Sequence, residues 1–281
     1  MIEPQSTALA SNWSAKCFQE RFAIAIFDID GVVRDVSCSY RRAIADTVEY
    51  FTEGASRPSS LDIDLLKSEG FWNNDWEASQ ELIYRYFEAE GKARANISLD
   101  YDRLVDFFNS RYRGSNPDNW TGYICDEPLL LQPSYLESLT GGGILWGFFS
   151  GATRDEALYA LSGRLGLVAP LLIAMEDAPG KPNPTGLLAA VEQLEQKHNI
   201  ETKLPTIYVG DTVADMYTVQ NAKTQYPQRN WIGVGILPPH VQETEQRSDA
   251  YQKNLKNAGA KTVLHNVQLL TPELIQDLIN L

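Results

Sequence analysis

The chain has 281 residues, 43% of them hydrophobic, enough to bury the core of one large or two modest domains and to exclude disorder throughout. Twenty-four Lys plus Arg stand against 37 Asp plus Glu, a formal net charge of −13. That balance argues against sequence-independent binding to nucleic acid, because a phosphodiester backbone selects clustered cations. Cys17, Cys38 and Cys125 show no Cys-x-x-Cys or Cys/His spacing, so they imply neither a disulfide framework nor a zinc cluster and read as buried or idle thiols. No apolar run reaches the roughly 18 to 20 residues of a membrane span, and residues 1–19 lack a basic region followed by an apolar stretch. The expectation is a cytoplasmic protein in a reducing setting, with no membrane and no nucleic-acid partner.

Behind a polar leader, residues 22–27 form a nearly continuous apolar run, the pattern of a strand buried on both faces of a parallel sheet. About 110 residues separate this run from the next, too many for one crossover, and they read as helices. Residues 40 to about 53 put Ile44, Val48 and Phe51 on one face. Asn74-Asp75-Trp76-Glu77 caps a helix that carries Leu82, Ile83, Tyr86 and Phe87 and stops at Gly91. Ser98 opens another, with Leu104, Val105 and Phe108 facing inward, and loops at 54–60 and 114–122 punctuate the segment. Apolar runs at 144–149, 171–175, 206–209 and 231–236 continue the sheet; a polar turn and a helical pattern follow each of the first three. Thr153-Arg154-Asp155-Glu156 is a capping box for a helix to about Leu165, with Gly166 placed to end it. Pro184 precedes Leu187, Leu188, Val191 and Leu194 at helical spacing. A helix at 251–258, a strand at 261–264 and a helix opened by Thr271 complete the chain. The expected fold is α/β, a doubly wound parallel sheet formed by residues 1–35 and 131–281, with residues 36–130 as an inserted helical domain.

Chemistry-bearing residues recur where strands give way to loops, the edge at which open α/β sheets bind ligands. Asp28-Ile29-Asp30-Gly31 follows the first strand. One carboxylate there could attack phosphorus while the other protonates the leaving oxygen, although this pattern by itself also suits a calcium loop or a plain turn. Ser150 follows the second strand, where its hydroxyl and nearby N–H groups could hold a phosphate oxygen; a lone Ser here also serves as a turn former. Lys181 lies in Gly180-Lys181-Pro182-Asn183-Pro184 after the third, able to neutralise a phosphoryl group or simply to be solvated. Gly210-Asp211 and Asp215 follow the fourth. Asp211 suits a hard cation, and Asp215 could bind a metal water, orient Lys181 or cap its helix.

In this order the motifs resemble those of the haloacid dehalogenase-like hydrolase superfamily, over nearly the whole chain after about Phe22. The helical insertion resembles the cap of its phosphoglycolate phosphatase-like branch. The resemblance implies a Rossmann-like core with a helical cap, and a Mg²⁺-dependent phosphatase that hydrolyses a small phosphorylated metabolite through an aspartyl phosphate. It makes Asp28 the nucleophile and a metal ligand, and Asp30 the general acid/base, whose carbonyl also touches the metal. Asp211 with Asp215 completes the metal site, Ser150 binds phosphoryl oxygens and Lys181 balances charge. Relatives that cleave carbon–halogen bonds lack an acid at the position of Asp30, and many relatives with this cap carry Asn where this chain has Gly151. A phosphomutase acting on a sugar phosphate, or a catalytically silent binding member of the fold, are the alternatives.

For substrate selection, residues 36–130 carry ten Lys plus Arg against 17 Asp plus Glu and form no cationic funnel. Lys67, Asn74 and Asp75 are candidate substrate contacts, with Gly151 and Arg154 nearer the phosphate; Trp72 and Trp76 could grip a leaving group or pack the insertion. Arg34, Arg41 and Arg42 are further cations near the site. His198, His240 and His265 show no ligand spacing and read as surface or loop residues. Phosphoglycolate, a sugar phosphate, phosphoserine, histidinol phosphate and a nucleotide all remain open, as do monomer and homodimer.

Overall fold

A computed structural model describes residues 20–72 and 74–281. Most of the polar leader, Cys17 and Asn73 lie outside the described residues. Strand β1 (Ala23–Phe27) is buried along its whole length. Helices α1 (Tyr40–Phe51), α2 (Ser60–Ser68), α3 (Asp75–Ala89) and α4 (Tyr101–Tyr112) follow, then α5 (Pro133–Gly141) and β2 (Ile144–Phe149). Next come α6 (Arg154–Leu158), β3 (Leu172–Ile173), α7 (Thr185–His198), β4 (Thr206–Gly210) and α8 (Val213–Gln225). The last elements are β5 (Trp231–Ile236), α9 (Glu245–Asn257), β6 (Ala260–Leu264) and α10 (Pro272–Asn280).

All six strands are parallel, in the order β3-β2-β1-β4-β5-β6, so the sheet is doubly wound as its sequence pattern implies. The two-residue period of β1 sends Ala23, Ala25 and Phe27 into one core cluster and Ile24 and Ile26 into the other. Helices therefore cover both faces, and only the strand ends remain for polar chemistry. Connections leave β1 and β4 in opposite directions along the sheet, which opens a crevice outside their carboxyl ends.

Helices α1 to α4 enclose a third cluster, including Ile44, Val48, Ile63, Ile83, Leu104 and Phe108. Trp72 and Trp76 pack against it, partly buried. Several boundaries differ from expectation for local reasons. Helix α2 escapes the apolar-periodicity reading because Leu61 and Leu65 face outward; Ser59 and Asp62 close a capping box at its start. Asp100, not Ser98, caps α4, accepting from the Arg103 N–H at 3.1 Å, and the buried face is Leu104, Phe108 and Tyr112, with Val105 half-buried. Helix α9 begins at Glu245 rather than 251, since Thr244 supplies the cap and its first turns bury no apolar residue. Helix α6 is α-helical only to Leu158 and continues as a π-helix over Tyr159–Arg164. Cys38 is exposed and Cys125 half-buried, so neither is a core thiol. No helix among the described residues is long and apolar enough to cross a membrane.

Candidate active site

Asp28 is the first residue beyond β1 and is 6% exposed. Its N–H donates to the Val209 carbonyl at 2.8 Å, which ties Asp28 to the end of β4. The chain then turns through Gly31 at φ +74°, where a Cβ would stand 2.1 Å from Asp211 Oδ2. Only glycine meets both demands, so Gly31 lets the loops after β1 and β4 touch.

Asp215 lies in the first turn of α8 and is fully buried. Its Oδ2 accepts from Thr212 N–H at 2.9 Å and Thr212 Oγ1 at 2.6 Å; its Oδ1 lies 3.1 Å from the Tyr208 hydroxyl and 2.7 Å from Lys181 Nζ. Both carboxylate oxygens are thus occupied, and the helix-capping and lysine-orienting readings hold together. Lys181, on the loop between β3 and α7, also reaches Asp28 Oδ1 at 2.8 Å. Phe149 and Tyr208 flank its ammonium, each ring centroid 5.4 Å away. Lys181 is no solvated surface residue: its side chain is 7% exposed.

Burial raises the Asp28 carboxyl to about 7, with Asp215 and Asp30 adding to the rise and Lys181 opposing it. Burial, then Asp215 and Asp28, push Asp211 well above the ordinary carboxylate range. Burial works against the Lys181 charge, but Asp215 and Asp28 outweigh it and hold the ammonium protonated. Oxygens of Asp28, Asp211 and Asp215 lie within 4.8 Å of one another. A hard divalent cation fits this donor set, since three carboxylates crowd beside one lysine and a cation offsets their mutual repulsion.

Ser150 is 1% exposed; its Oγ accepts from the Ala152 N–H at 3.1 Å, and its own N–H is bonded to the Ile173 carbonyl at 3.0 Å. Gly151 lies on the cavity wall with open space about its Cα. Arg154 turns away and pairs with Asp177, because Asp177 and Glu176 gather on that side of the turn. The structure does not bring Arg154 into the site. Asp30 faces the cavity and receives a 2.7 Å hydrogen bond from Arg34.

A cavity of about 690 Å³ lies between the strand ends and the helical insertion. Lys67, Asn74 and Asp75 all line it. Lys67 Nζ is 2.7 Å from Asp75 and 4.9 Å from the Tyr40 ring centroid, while the Asn74 side chain caps α3, accepting from Trp76 N–H at 2.9 Å. Arg41 also lines the cavity and pairs with Asp64, whereas Arg42 stacks on Tyr123. Asp64 bridges Arg41 to Arg247 on α9, so an ion-pair cluster closes one side of the cavity. His240 faces that cluster, 3.7 Å from Asp64 and only 9% exposed; unlike His198 and His265 it is no surface residue. Sequence reasoning missed Tyr208, which reads as an ordinary strand residue, and Tyr40 and Tyr251, which read as helix packing but line the cavity.

The family profile described as haloacid dehalogenase-like hydrolase matches residues 22–223. A curated protein of Phytophthora nicotianae, imidazoleglycerol-phosphate dehydratase, is 29% identical over 250 residues, 85% of this chain and 49% of that one. The chain therefore spans about half the length of the curated relative it matches. Among solved structures, a phosphonoacetaldehyde hydrolase-like protein from Oleispira antarctica matches at a TM-score of 0.65 and 16% identity, covering 100% of this chain and 97% of the other. A phosphatase from Thermococcus thioreducens matches at 0.57 and 21% identity, covering 81% and 98%. At these identities the structures show a shared fold.

Proposed function

The chain belongs to the haloacid dehalogenase-like hydrolase family, and we propose that it is a Mg²⁺-dependent phosphatase of a small phosphorylated metabolite. The observation that carries this reading is Lys181 held between Asp28 and Asp215, 2.8 and 2.7 Å away, beside Asp211. That arrangement suits a dianionic phosphate brought against a carboxylate nucleophile. Asp28, the Asp30 carbonyl, Asp211 and Asp215 would serve the metal, Asp215 chiefly through its hold on Lys181. When bound, Mg²⁺ supplies charge neutralisation at the phosphoryl group.

The chain's own residues divide the reaction between them. Lys181 engages one oxygen of Asp28, and the other attacks phosphorus; Ser150 donates its hydroxyl to a phosphoryl oxygen. As the ester P–O bond breaks, Asp30 gives its proton to the leaving oxygen, and the phosphoryl group rests on Asp28. Asp30, now a carboxylate, takes a proton from the water that attacks the aspartyl phosphate, and phosphate departs. An acid at this position is of use where an oxygen leaves, which favours ester hydrolysis over dehalogenation.

We read residues 36–130 as the cap that selects the alcohol, with Lys67 and Asp75 as substrate contacts and Tyr40 and Trp76 as walls. The name of the Phytophthora relative supports a substrate class, because that protein is named for chemistry on an imidazole-bearing phosphate ester. Of the esters open from sequence, histidinol phosphate is the one that carries imidazole as a separate, unfused ring. The test is phosphate release from phosphoglycolate, a sugar phosphate, phosphoserine, a nucleotide and histidinol phosphate, with and without Mg²⁺. Release that needs Mg²⁺ and disappears in Asp28→Asn is expected, fastest with the imidazole ester. A different best ester overturns the substrate class alone, and isomerisation of a sugar phosphate without net release overturns the phosphatase.

A further inference from the structure

Arg34 sits just beyond the turn that carries Asp30 and is 1% exposed. Its Nε donates to Asp30 Oδ1 at 2.7 Å, and its Nη1 lies 3.0 Å from Glu127 Oε2. The segment that leaves β1 for the helical insertion and the segment that returns from the insertion toward α5 run side by side at this point. Arg34 bridges to Asp30 and to Leu129, and the Asp35 and Leu130 N–H groups donate to the Pro128 and Val33 carbonyls, both at 2.8 Å. Glu127 is fixed from its far side by the Tyr112 hydroxyl at the end of α4, 3.2 Å away, while Arg164 holds its backbone carbonyl.

Packing does not explain a guanidinium here. A buried ion pair gives little stability that an aliphatic side chain of the same volume would not give. Among the described residues, Nη1 and Nη2 make no hydrogen bond of good alignment, whereas Nε makes one, to Asp30. Asp30, one-third exposed toward the cavity, has no other ion pair among the described residues. The carboxylate that must stay reachable is therefore held by a group that is not.

We infer that Arg34 is a positioning residue for the reaction, holding the Asp30 carboxyl where it protonates the departing oxygen, with Glu127 anchoring the guanidinium to the segment returning from the insertion. This rests on the phosphatase reading. When the ester P–O bond breaks, the Asp30 proton goes to the leaving oxygen, the phosphoryl group to Asp28, and the new negative charge on Asp30 faces Arg34. Arg34 itself does not line the cavity, and it acts through Asp30.

The leaving group separates this role from a structural one. A p-nitrophenolate leaves without a proton, whereas an alkoxide needs one, and kcat/KM reports the step in which it leaves. The test compares kcat/KM for p-nitrophenyl phosphate and a simple alkyl phosphate, with Mg²⁺, in the intact chain, Arg34→Lys and the charge-balanced pair Arg34→Met with Glu127→Gln. The pair removes both buried charges together, so a fold survives in which Asp30 is unheld. Expected is a fall of about 100-fold with the alkyl ester and under about 3-fold with the p-nitrophenyl ester, Arg34→Lys lying between. An equal fall with both esters, or none with either, overturns the proposal while leaving the phosphatase standing. Absence of Mg²⁺-dependent release by the intact chain overturns both.

Discussion

Lys181 is a buried ammonium whose charge is kept by carboxylates from two different strands, Asp28 after β1 and Asp215 after β4. Replacing it with Met leaves those acids buried together without their cation. Asp28, already raised to about 7 by burial and its acidic neighbours, then loses the one group that lowers it. Lys181→Met is expected to cut kcat/KM by at least about 100-fold at neutral pH, measured as Mg²⁺-dependent phosphate release. A loss below 10-fold would mean that the ammonium only fills space. Gly31 gives a second prediction at this scale. Gly31→Ala forces an L side chain to φ +74° and drives its Cβ onto Asp211 Oδ2, so about 1 to 3 kcal/mol of stability should be lost in urea unfolding together with the response to Mg²⁺. The acids, Ser150 and Lys181 were legible in sequence because similar chemistry recurs at four strand ends on one edge. Tyr208 and the Arg34–Glu127 pair were not, since a strand tyrosine looks like core and a pair 93 positions apart has no spacing to read.

Between elements, α2 of the insertion and α9 of the sheet layer meet through Asp64, which pairs with Arg41 and Arg247 and faces His240. Burial raises the Asp64 carboxyl, but His240, Arg41 and Arg247 overcome it and hold the group well below the ordinary carboxylate range. A depressed carboxyl contributes stability that is present above its ordinary value near 3.9 and lost as pH falls through its folded value. Asp64→Asn leaves Arg41 buried and unpaired and should cost about 2 to 3 kcal/mol at pH 7 in urea unfolding. The gap between variant and parent should begin to narrow as pH falls below about 4, where the unfolded Asp64 carboxyl takes up its proton, and should close only as pH falls through the lower folded value. A gap independent of pH would place the loss in packing rather than charge. Helix α2 escaped the sequence because exposed Leu61 and Leu65 interrupt the apolar pattern of its buried Ile63 and Leu66, and because its contact with α9 is ionic, whereas β1, β2, β4 and β5 are buried on both faces and show it directly.

Across the whole molecule the sheet and its insertion enclose a site whose charges work against folding. Asp28 and Asp211 are both raised by burial and by the acids beside them. A raised carboxyl contributes stability fully below its ordinary value and loses it as pH rises through its folded value, about 7 for Asp28. Without a cation the chain should therefore weaken from about pH 4 toward and beyond pH 7. On the proposed reading Mg²⁺ would bind the ionised carboxylates, so its stabilising effect should grow over the same interval, reaching about 2.7 kcal/mol at a hundred times its Kd. Asp211→Asn discriminates a site kept for function from one kept for folding. The variant removes a charge from a crowd, so it should melt above the parent without Mg²⁺ and gain nothing when Mg²⁺ is added. Thermal unfolding of parent and variant at pH 5 and pH 8, with and without Mg²⁺, measures both effects. An Asp211→Asn chain that melts below its parent in the absence of the ion would show that these carboxylates hold the two strand ends together, and a Mg²⁺ gain equal at both pH values would show that the ion binds elsewhere.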